Sequence, residues 1–550
     1  MAASVDQKNR DNYQCSRICI VEHGQRALTV GVANVLVQQG FDVTLLSVGA
    51  SDADAADQLL EDAVVREQLT VPDAVFVQLP YAARQSYLAY LYLRDRAFDV
   101  IQFPSSSGLG YYTQLAQRQG LALRDTRVVV HLECPEYWHL QHGGRLIDDV
   151  MVLDRMFMER RSTEIADQLV SQSADMLVWM RSHDWNVPQA SCAIDDFHDQ
   201  GSDNDTECSR QRVEANWLEL YRRLVVQGAA DIVDSDVSDA PLVSVCLVHF
   251  NRPQLLSFMI DSLCGQDYTN FEVILVDDGS TLPAATDYLE ALEPLFAGRG
   301  WRIVHQQNAY LGAARNNAAA HASGEYLLFL DDDNVATEKM ISTLAGVMQR
   351  RNVDILTCAT NVFEGDGAPP ENVATGTHWV PLGASVASGL FRNVFGDASA
   401  LIRKSTFDRL GGFSEDYGLG HEDWEFYARA VLDGYQLEVV PEPLLFYRVR
   451  GGGMLLSGNT DASLARSLRP YLDAVPAELQ PVLYLALGQE HARHAAPAGM
   501  FSPSVLLGLI KAFAGSGGKR GMLTRFIRVV RNQGWSRAIK AALRYGKQEI

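Results

Sequence analysis

Three stretches of the chain set carboxylates close enough together to act jointly. Asp331-Asp332-Asp333 follows the apolar run Tyr326–Leu330, Asp277-Asp278 follows Phe271–Val276, and Glu422-Asp423 lies within Gly418-Leu419-Gly420-His421-Glu422-Asp423-Trp424. Asp331 and Asp333 stand two residues apart, a spacing that lets two carboxylates converge on one hard divalent cation. Mg²⁺ or Mn²⁺ prefers such oxygen ligands and bridges to phosphate oxygens. Alone, an acid triplet is as readily a solvated turn; two acid clusters, each ending a continuous apolar run, favour the metal. Glu422 and Asp423 precede residues with helical period (Trp424, Tyr427, Ala428, Val431). They are therefore expected at a helix N-terminus, where the dipole favours the ionised form. In a cleft such a carboxylate could take the proton of an attacking hydroxyl; the alternative is ordinary capping acids. Tyr447-Arg448-Val449-Arg450 runs into three glycines. Its arginines suit diphosphate oxygens, or it is a basic surface loop.

Two sets of alternating strands and helices must position these residues. Up to about residue 230, Ile18–Glu22, Asp42–Val48, Val100–Phe103 and Arg127–Leu132 read as buried strands separated by helix-length segments, the pattern of a parallel, Rossmann-like sheet. Pro104-Ser105-Ser106-Ser107-Gly108 reads as a strand-to-helix loop, with anion binding at a helix N-terminus as the alternative. Residues 192–212 are polar and read as a loop, Val213–Val225 as a helix, and Asp231–Ala240 as an acidic linker. A second domain opens at Pro241, with strands at Leu242–Val248, Phe271–Val276, Arg302–His305 and Tyr326–Leu330. In open parallel sheets ligands bind at the carboxyl ends of the strands, which is where both Asp clusters fall.

In order along the chain, Val243-Ser244-Val245, Phe250-Asn251-Arg252, Val276-Asp277-Asp278-Gly279-Ser280, Ala314-Arg315-Asn316, Asp331–Asp333, Gly411-Gly412-Phe413 and Gly420–Trp424 resemble the inverting family-2 glycosyltransferases, which have a GT-A fold. The resemblance covers about 210 residues of the 550. It implies that Asp277 or Asp278 contacts the base or ribose of a nucleotide-sugar donor, in a site that also takes in Phe250, Arg252, Arg315 and Asp332. It further implies that Asp331 and Asp333 hold Mn²⁺ or Mg²⁺ with the diphosphate, that Asp423 is the catalytic base, and that Glu422 aids the acceptor. Two departures stand out: Val248-His249 replaces the usual proline after the first strand, and Tyr447–Arg450 has no metal-binding histidine, so Arg448 or Arg450 is assigned to the diphosphate. Residues 17–190 resemble the N-terminal half of family-4-type, GT-B glycosyltransferases, on the first strand with its Gly24 loop, Val128–Glu133 and Met158-Glu159-Arg160-Arg161. The roughly 25 residues after Val187 cannot hold a second nucleotide-binding half, so this half is expected to be non-catalytic. The expected division is 1–230, a Rossmann-like half domain; 241–455, the GT-A domain; and 456–550, a helical region.

Composition narrows the class. With 47% hydrophobic and 21% charged residues the chain is globular, and a net charge of −21 argues against a nucleic-acid partner. The last 46 residues carry ten Lys/Arg and one acid, +9 against −30 for the rest. Residues 522–544 place Met, Leu, Phe, Ile and Trp between arginines. That reads as a basic amphipathic helix for an anionic membrane surface, or as a segment that packs on the acidic body. The eight scattered cysteines suggest no zinc site or disulfide framework, and the start of the chain has no apolar leader. The expectation is a cytoplasmic enzyme, peripheral at the inner face of the cell membrane, that acts on a saccharide or lipid-linked acceptor in surface polysaccharide or glycoconjugate synthesis. The rivals are a nucleotidyltransferase, disfavoured because the turn Val248–Arg252 has no glycine, and a non-catalytic scaffold.

Overall fold

A computed structural model describes residues 16–22, 26–49, 60–70, 80–144, 146–171, 173–194, 206–227, 240–370, 377–449 and 460–495. Gly24, Arg450, most of the 231–240 linker and the basic tail lie outside the described residues.

The N-terminal half is a seven-stranded parallel sheet: β1 (Arg17–Glu22), β2 (Asp42–Val48), β3 (Val65–Leu69), β4 (Val100–Pro104), β5 (Arg127–Leu132), β6 (Gln168–Ser171) and β7 (Ser191–Ala193). Their order is β3-β2-β1-β4-β5-β6-β7, so the expected parallel architecture is observed. The central strands are apolar throughout because helices cover both faces. Helix Thr206–Gln227 seals one face: Trp217 and Tyr221 are buried, and the Tyr221 hydroxyl donates to Gln102 Oε1 at 2.6 Å. The loop expected over 192–212 is shorter than that, since β7 and the first turns of this helix fall inside it. Thr206–Arg212 is polar but rich in helix formers, and propensity outweighed polarity.

The loop after β4 holds no free anion cradle. Glu159, from helix Met151–Glu164, accepts from the Ser107 and Glu136 amides at 2.9 Å each. Gly108 sits so close to Met158 that a Cβ would lie 2.4 Å from its backbone. An internal carboxylate fills the place an anion would take.

The second sheet has nine strands: β8 (Val243–His249), β9 (Phe271–Asp277), β10 (Arg302–His305), β11 (Tyr326–Asp331), β12 (Val335–Ala336), β13 (Ile355–Glu364), β14 (Thr377–Trp379), β15 (Leu401–Arg403) and β16 (Leu437–Val449). The order is β10-β9-β8-β11-β15-β13-β16-β12, with β14 on β13. β10, β9, β8 and β11 run parallel; β15 lies antiparallel between β11 and β13. This is a mixed α/β architecture. Its core runs from Val245, Leu247 and Leu275 to Leu328, Leu344 and Val440, all buried.

Helix Thr460–Ala474 belongs with this domain, beyond the boundary expected near 455. Its Arg466, buried, donates to Ser414 Oγ at 2.8 Å and to the Leu419 carbonyl at 2.8 Å. Beyond it, helix Gln480–Ala495 is part of a separate unit. No helix among the described residues is long and apolar enough to cross a membrane, and the six described cysteines are free thiols.

Candidate active site

Sheet register puts the chemistry on one edge. Asp331 pairs with Val248, and His249 pairs with Asp277, so β8, β9 and β11 end side by side. The following turns are tied together: Asn251 Oδ1 accepts from the Thr281 and Leu282 amides at 2.8 and 2.9 Å. Phe250, 41% exposed, stands at the mouth of the crevice.

The two acids after β9 have different surroundings. Asp278 accepts from Gln306 Nε2, Asn308 Nδ2 and the Ala309 and Tyr310 amides, at 2.7 to 3.1 Å. That saturated carboxylate of Asp278 anchors the start of helix Tyr310–Ala320. Asp277 takes only the Ser280 amide and the His305 ring, both at 3.2 Å.

The triplet is split as well. Asp331 and Asp333 side chains are 24% and 23% exposed, whereas Asp332 is fully buried, 2.6 Å from His249 Nδ1 and 2.6 Å from Arg252 Nη2. Asp332 therefore locks the turn after β8 against β11. Arg252 also pairs with Asp333 at 2.5 Å. Burial, followed by the charges of Asp331 and Asp332 against the opposing Arg252, leaves the Asp333 carboxyl raised to about 6. Arg448 is buried and donates to the carbonyls of Asp333 (2.8 Å), Gly365 (2.5 Å) and Gly367 (2.7 Å), so it holds the backbone that carries Asp333.

The two acid sets meet across a single buried cation. Arg315 donates through Nη2 to Asp331 Oδ1 at 2.7 Å and through Nη1 to Glu422 Oε1. Burial opposes its charge, but Asp331 and Glu422 outweigh burial and hold it protonated. Gly312 makes this possible: a Cβ there would lie 2.1 Å from the Ser414 carbonyl, so only glycine lets the helix carrying Arg315 press against the 411–420 loop. Asp423, the next residue after Glu422, accepts from the Trp424 amide at 2.7 Å and lies 3.5 Å from Asn393 Nδ2. Burial and then the Glu422 charge push its carboxyl up to about 7. The preceding His421 has φ of +67°, a left-handed conformation costly for a residue with a Cβ.

Several residues at this crevice were not read from the sequence. Asp397, raised to about 7 by burial and by Asp331, adds a further carboxyl that acts on Asp423. Its signal was hidden because the following strand, Leu401–Arg403, is only three residues long. Tyr447 lies within reach of the charges of Asp331, Asp333, Asp397 and Asp423, and burial raises its hydroxyl pKa. At the rim, Tyr310 (φ +74°) packs its ring 5.3 Å from that of Tyr417, which is 69% exposed. Tyr417 donates to Asn308 Oδ1 at 3.0 Å and so ties the loop before Glu422 to the segment after β10.

Known glycosyltransferases resemble this second domain in sequence. Residues 244–404 match the family described as glycosyl transferase family 2, and residues 386–479 match glycosyltransferase like family 2. The C-terminal half of the chain carries a glycosyltransferase family 2 domain. Among curated relatives, the O-antigen biosynthesis protein RfbC of Myxococcus xanthus is 29% identical over 228 residues, 38% of this chain and 18% of that protein. Glycosyltransferase GlyG of Streptococcus pneumoniae serotype 4 is 33% identical over 116 residues, 21% of this chain and 38% of that protein. The chain thus spans well under half the length of these relatives. Among solved structures, S. aureus TarS 1-349 in complex with UDP aligns with a TM-score of 0.35 at 18% identity, covering 47% of this chain and 73% of that one.

Proposed function

We propose that residues 241–474 form an inverting glycosyltransferase that moves a sugar from a nucleotide-sugar donor to a hydroxyl of a saccharide or lipid-linked acceptor, in surface polysaccharide or glycoconjugate synthesis. The observation that carries this is Arg315, whose guanidinium joins Asp331 on the donor side to Glu422, neighbour of Asp423, on the acceptor side. Asp277 faces the nucleoside, and Phe250 flanks it at the crevice mouth. Asp423 takes the proton of the acceptor hydroxyl as the new O–C1 bond forms. The C1–O bond to the diphosphate breaks on the opposite face, and the leaving group departs with that electron pair. A carboxyl poised near neutrality suits the base. Arg315 and Arg252 oppose the charge that builds on the diphosphate.

The donor set fits Mn²⁺ or Mg²⁺. Asp331 and Asp333 present two hard, partly exposed carboxylates to the crevice. Such cations are held by one or two carboxylates with the remaining positions left to phosphate and water. No group of three or more His, Cys, Asp or Glu side chains among the described residues could hold a metal by itself, which accords with a site completed by the donor. When bound, the cation would supply charge neutralisation at the diphosphate.

The N-terminal half, on this reading, is a family-4-type half domain without its own transferase chemistry. The Glu159 carboxylate seated on the Ser107 amide supports that, since it leaves the loop after β4 no free amide cradle for an anion. The basic tail at 505–550 remains a proposed peripheral membrane contact. The test of the whole reading is nucleoside diphosphate release from a panel of nucleotide sugars, with Mn²⁺ or Mg²⁺ and saccharide acceptors. Pyrophosphate release from a nucleoside triphosphate would instead mark a nucleotidyltransferase. No turnover of any kind would favour a scaffold.

A further inference from the structure

The segment from Val380 to Ala400 walls one side of the crevice yet has almost no regular structure, only the four-residue helix Val386–Gly389. Long connections of this kind in a compact domain are usually functional, and their shape depends on what ties them down. On the crevice side, the Gly389 carbonyl accepts from Trp424 Nε1 at 2.7 Å, and the Asp397 carbonyl accepts from the Tyr427 hydroxyl at 2.8 Å. Asn393, which donates to the Gly396 carbonyl at 2.8 Å, reaches to 3.5 Å from Asp423. The segment is thus the second layer around the proposed base.

On its other side it is held by the N-terminal half. The Tyr112 hydroxyl donates to the Pro381 carbonyl at 3.0 Å and the Tyr111 hydroxyl to the Leu382 carbonyl at 2.7 Å, both from helix Tyr111–Arg118. Asp154, whose side chain is completely buried, pairs with Arg392, the residue before Asn393. A buried ion pair adds little net stability compared with apolar packing, because desolvating both charges offsets their attraction. What it does fix is geometry, since breaking it leaves a charge stranded. The same applies to two buried phenols, each aimed at a single carbonyl.

We propose that the N-terminal half is an in-chain clamp for the active site. In it Asp154, Tyr111 and Tyr112 are positioning residues that hold the 380–400 segment and, through Asn393 and Gly389, set where Asp423 stands. This rests on the reading of Asp423 as the base. It gives the N-terminal half a task that needs no nucleotide or acceptor of its own.

The test uses the full chain with Asp154→Asn and, as the milder change, Tyr112→Phe, which removes one hydroxyl and no volume. Hydrogen exchange is read on peptides from 380–400 and on the central strands of both sheets. Nucleoside diphosphate release is read with acceptor, alongside donor binding. The expected result is at least tenfold faster exchange confined to 380–400, with transfer kcat down 5- to 50-fold and donor affinity within twofold of the parent. Arg392→Lys, which keeps the charge, should fall between the two. Unchanged exchange over 380–400 in both variants overturns the clamp. So does faster exchange with transfer kcat unchanged, or transfer and donor affinity falling together, which marks general destabilisation. If the parent releases no nucleoside diphosphate from any donor, the transferase reading fails by itself, and the exchange result still decides whether the N-terminal half holds the segment.

Discussion

Replacing Asp423 by Asn should abolish transfer and stabilise the protein, and the second effect should grow with pH. In the folded chain the Asp423 carboxyl is raised from 3.8 to about 7, through burial and the neighbouring Glu422. An acid with a raised folded pKa contributes nothing below the unfolded value. Between the two values the folded state keeps a proton that the unfolded state has lost, so stability falls as pH rises, and the loss is complete above the folded pKa. For a shift of this size the linkage gives a cost of about 2 kcal/mol at pH 5 and about 4 kcal/mol at pH 8. Asp423 retains some access to solvent at the crevice floor, so roughly half of that difference, ~1 kcal/mol, is the expected extra gain for Asp423→Asn at pH 8 over pH 5. That corresponds to a few degrees in Tm. The catalytic loss follows from removing a general base, about 10²- to 10⁴-fold in kcat. The assay pairs thermal unfolding at the two pH values with nucleoside diphosphate release in the presence of acceptor. A Tm gain equal at both pH values would mean that Asp423 carries no raised pKa. Turnover within tenfold of the parent would mean that another group takes the proton.

The parent's kcat should itself rise with pH through about 7, and that limb should vanish in Asp423→Asn; a flat profile from pH 5 to 9 counts against the assignment. Arg315→Met should lose at least 10²-fold in transfer and also destabilise the fold by about 3 kcal/mol, since it strands Asp331 and Glu422; loss of activity with an unchanged Tm would contradict the bridging role. Asp333→Ala should raise the Mn²⁺ concentration needed for half-maximal release at least tenfold, read by metal titration, whereas Asp332→Asn should act chiefly through Tm because its carboxylate is fully buried. Tyr310→Gly removes a left-handed strain of roughly 1–2 kcal/mol, largely offset by the entropy of glycine, so Tm should move little. The acceptor KM should rise several-fold as the Tyr310–Tyr417 ring pair is lost, and an unchanged KM would remove that pair from the acceptor path.

The parts legible in the sequence were those carried by periodicity and by acids at strand ends. The apolar runs before Asp277 and Asp331 fixed both strands and the edge at which they finish, and the helical period after Glu422 placed that acid pair at a helix start. What stayed hidden was direction. A run of three acids does not say which carboxylate turns inward; Asp332 does, because the chain leaves β11 in a tight turn that swings it toward His249 and Arg252. Nor does Asp277-Asp278 reveal that four donors from 306–310 saturate the second acid. Arg448 shows the same: a guanidinium near glycines suggests phosphate, and no local pattern reveals that its Nη1 donates to the carbonyls of Gly365 and Gly367. The ties to Tyr111 and Tyr112 depend on contacts between segments some 270 residues apart, which no local pattern encodes.

The crevice is balanced in a way that bears on how a donor would enter it. Each outward acid of the triplet is already paired, Asp331 with Arg315 and Asp333 with Arg252. Without these arginines, the carboxylates crowded there would repel one another at close range; burial first, and then the charges of Asp331 and Asp332, already raise the pKa of Asp333. A donor diphosphate entering alone would meet those acids and be repelled. On the proposed reading, Asp331 and Asp333 would hold a divalent cation that supplies charge neutralisation, and Arg315 and Arg252 would be released toward the phosphates. The number of opposite-charge contacts is then conserved through binding, so neither set of buried charges is stranded on the way. Arg315 can turn only partly, because its other nitrogen stays on Glu422. Movement of the diphosphate is thereby felt at the residue beside the base, and donor and cation should bind with positive coupling, each tightening the other by the same factor. Measuring donor affinity with and without Mn²⁺, and Mn²⁺ affinity with and without a nucleoside diphosphate, tests this directly. Independent binding of the two would mean that the arginines stay on the acids throughout.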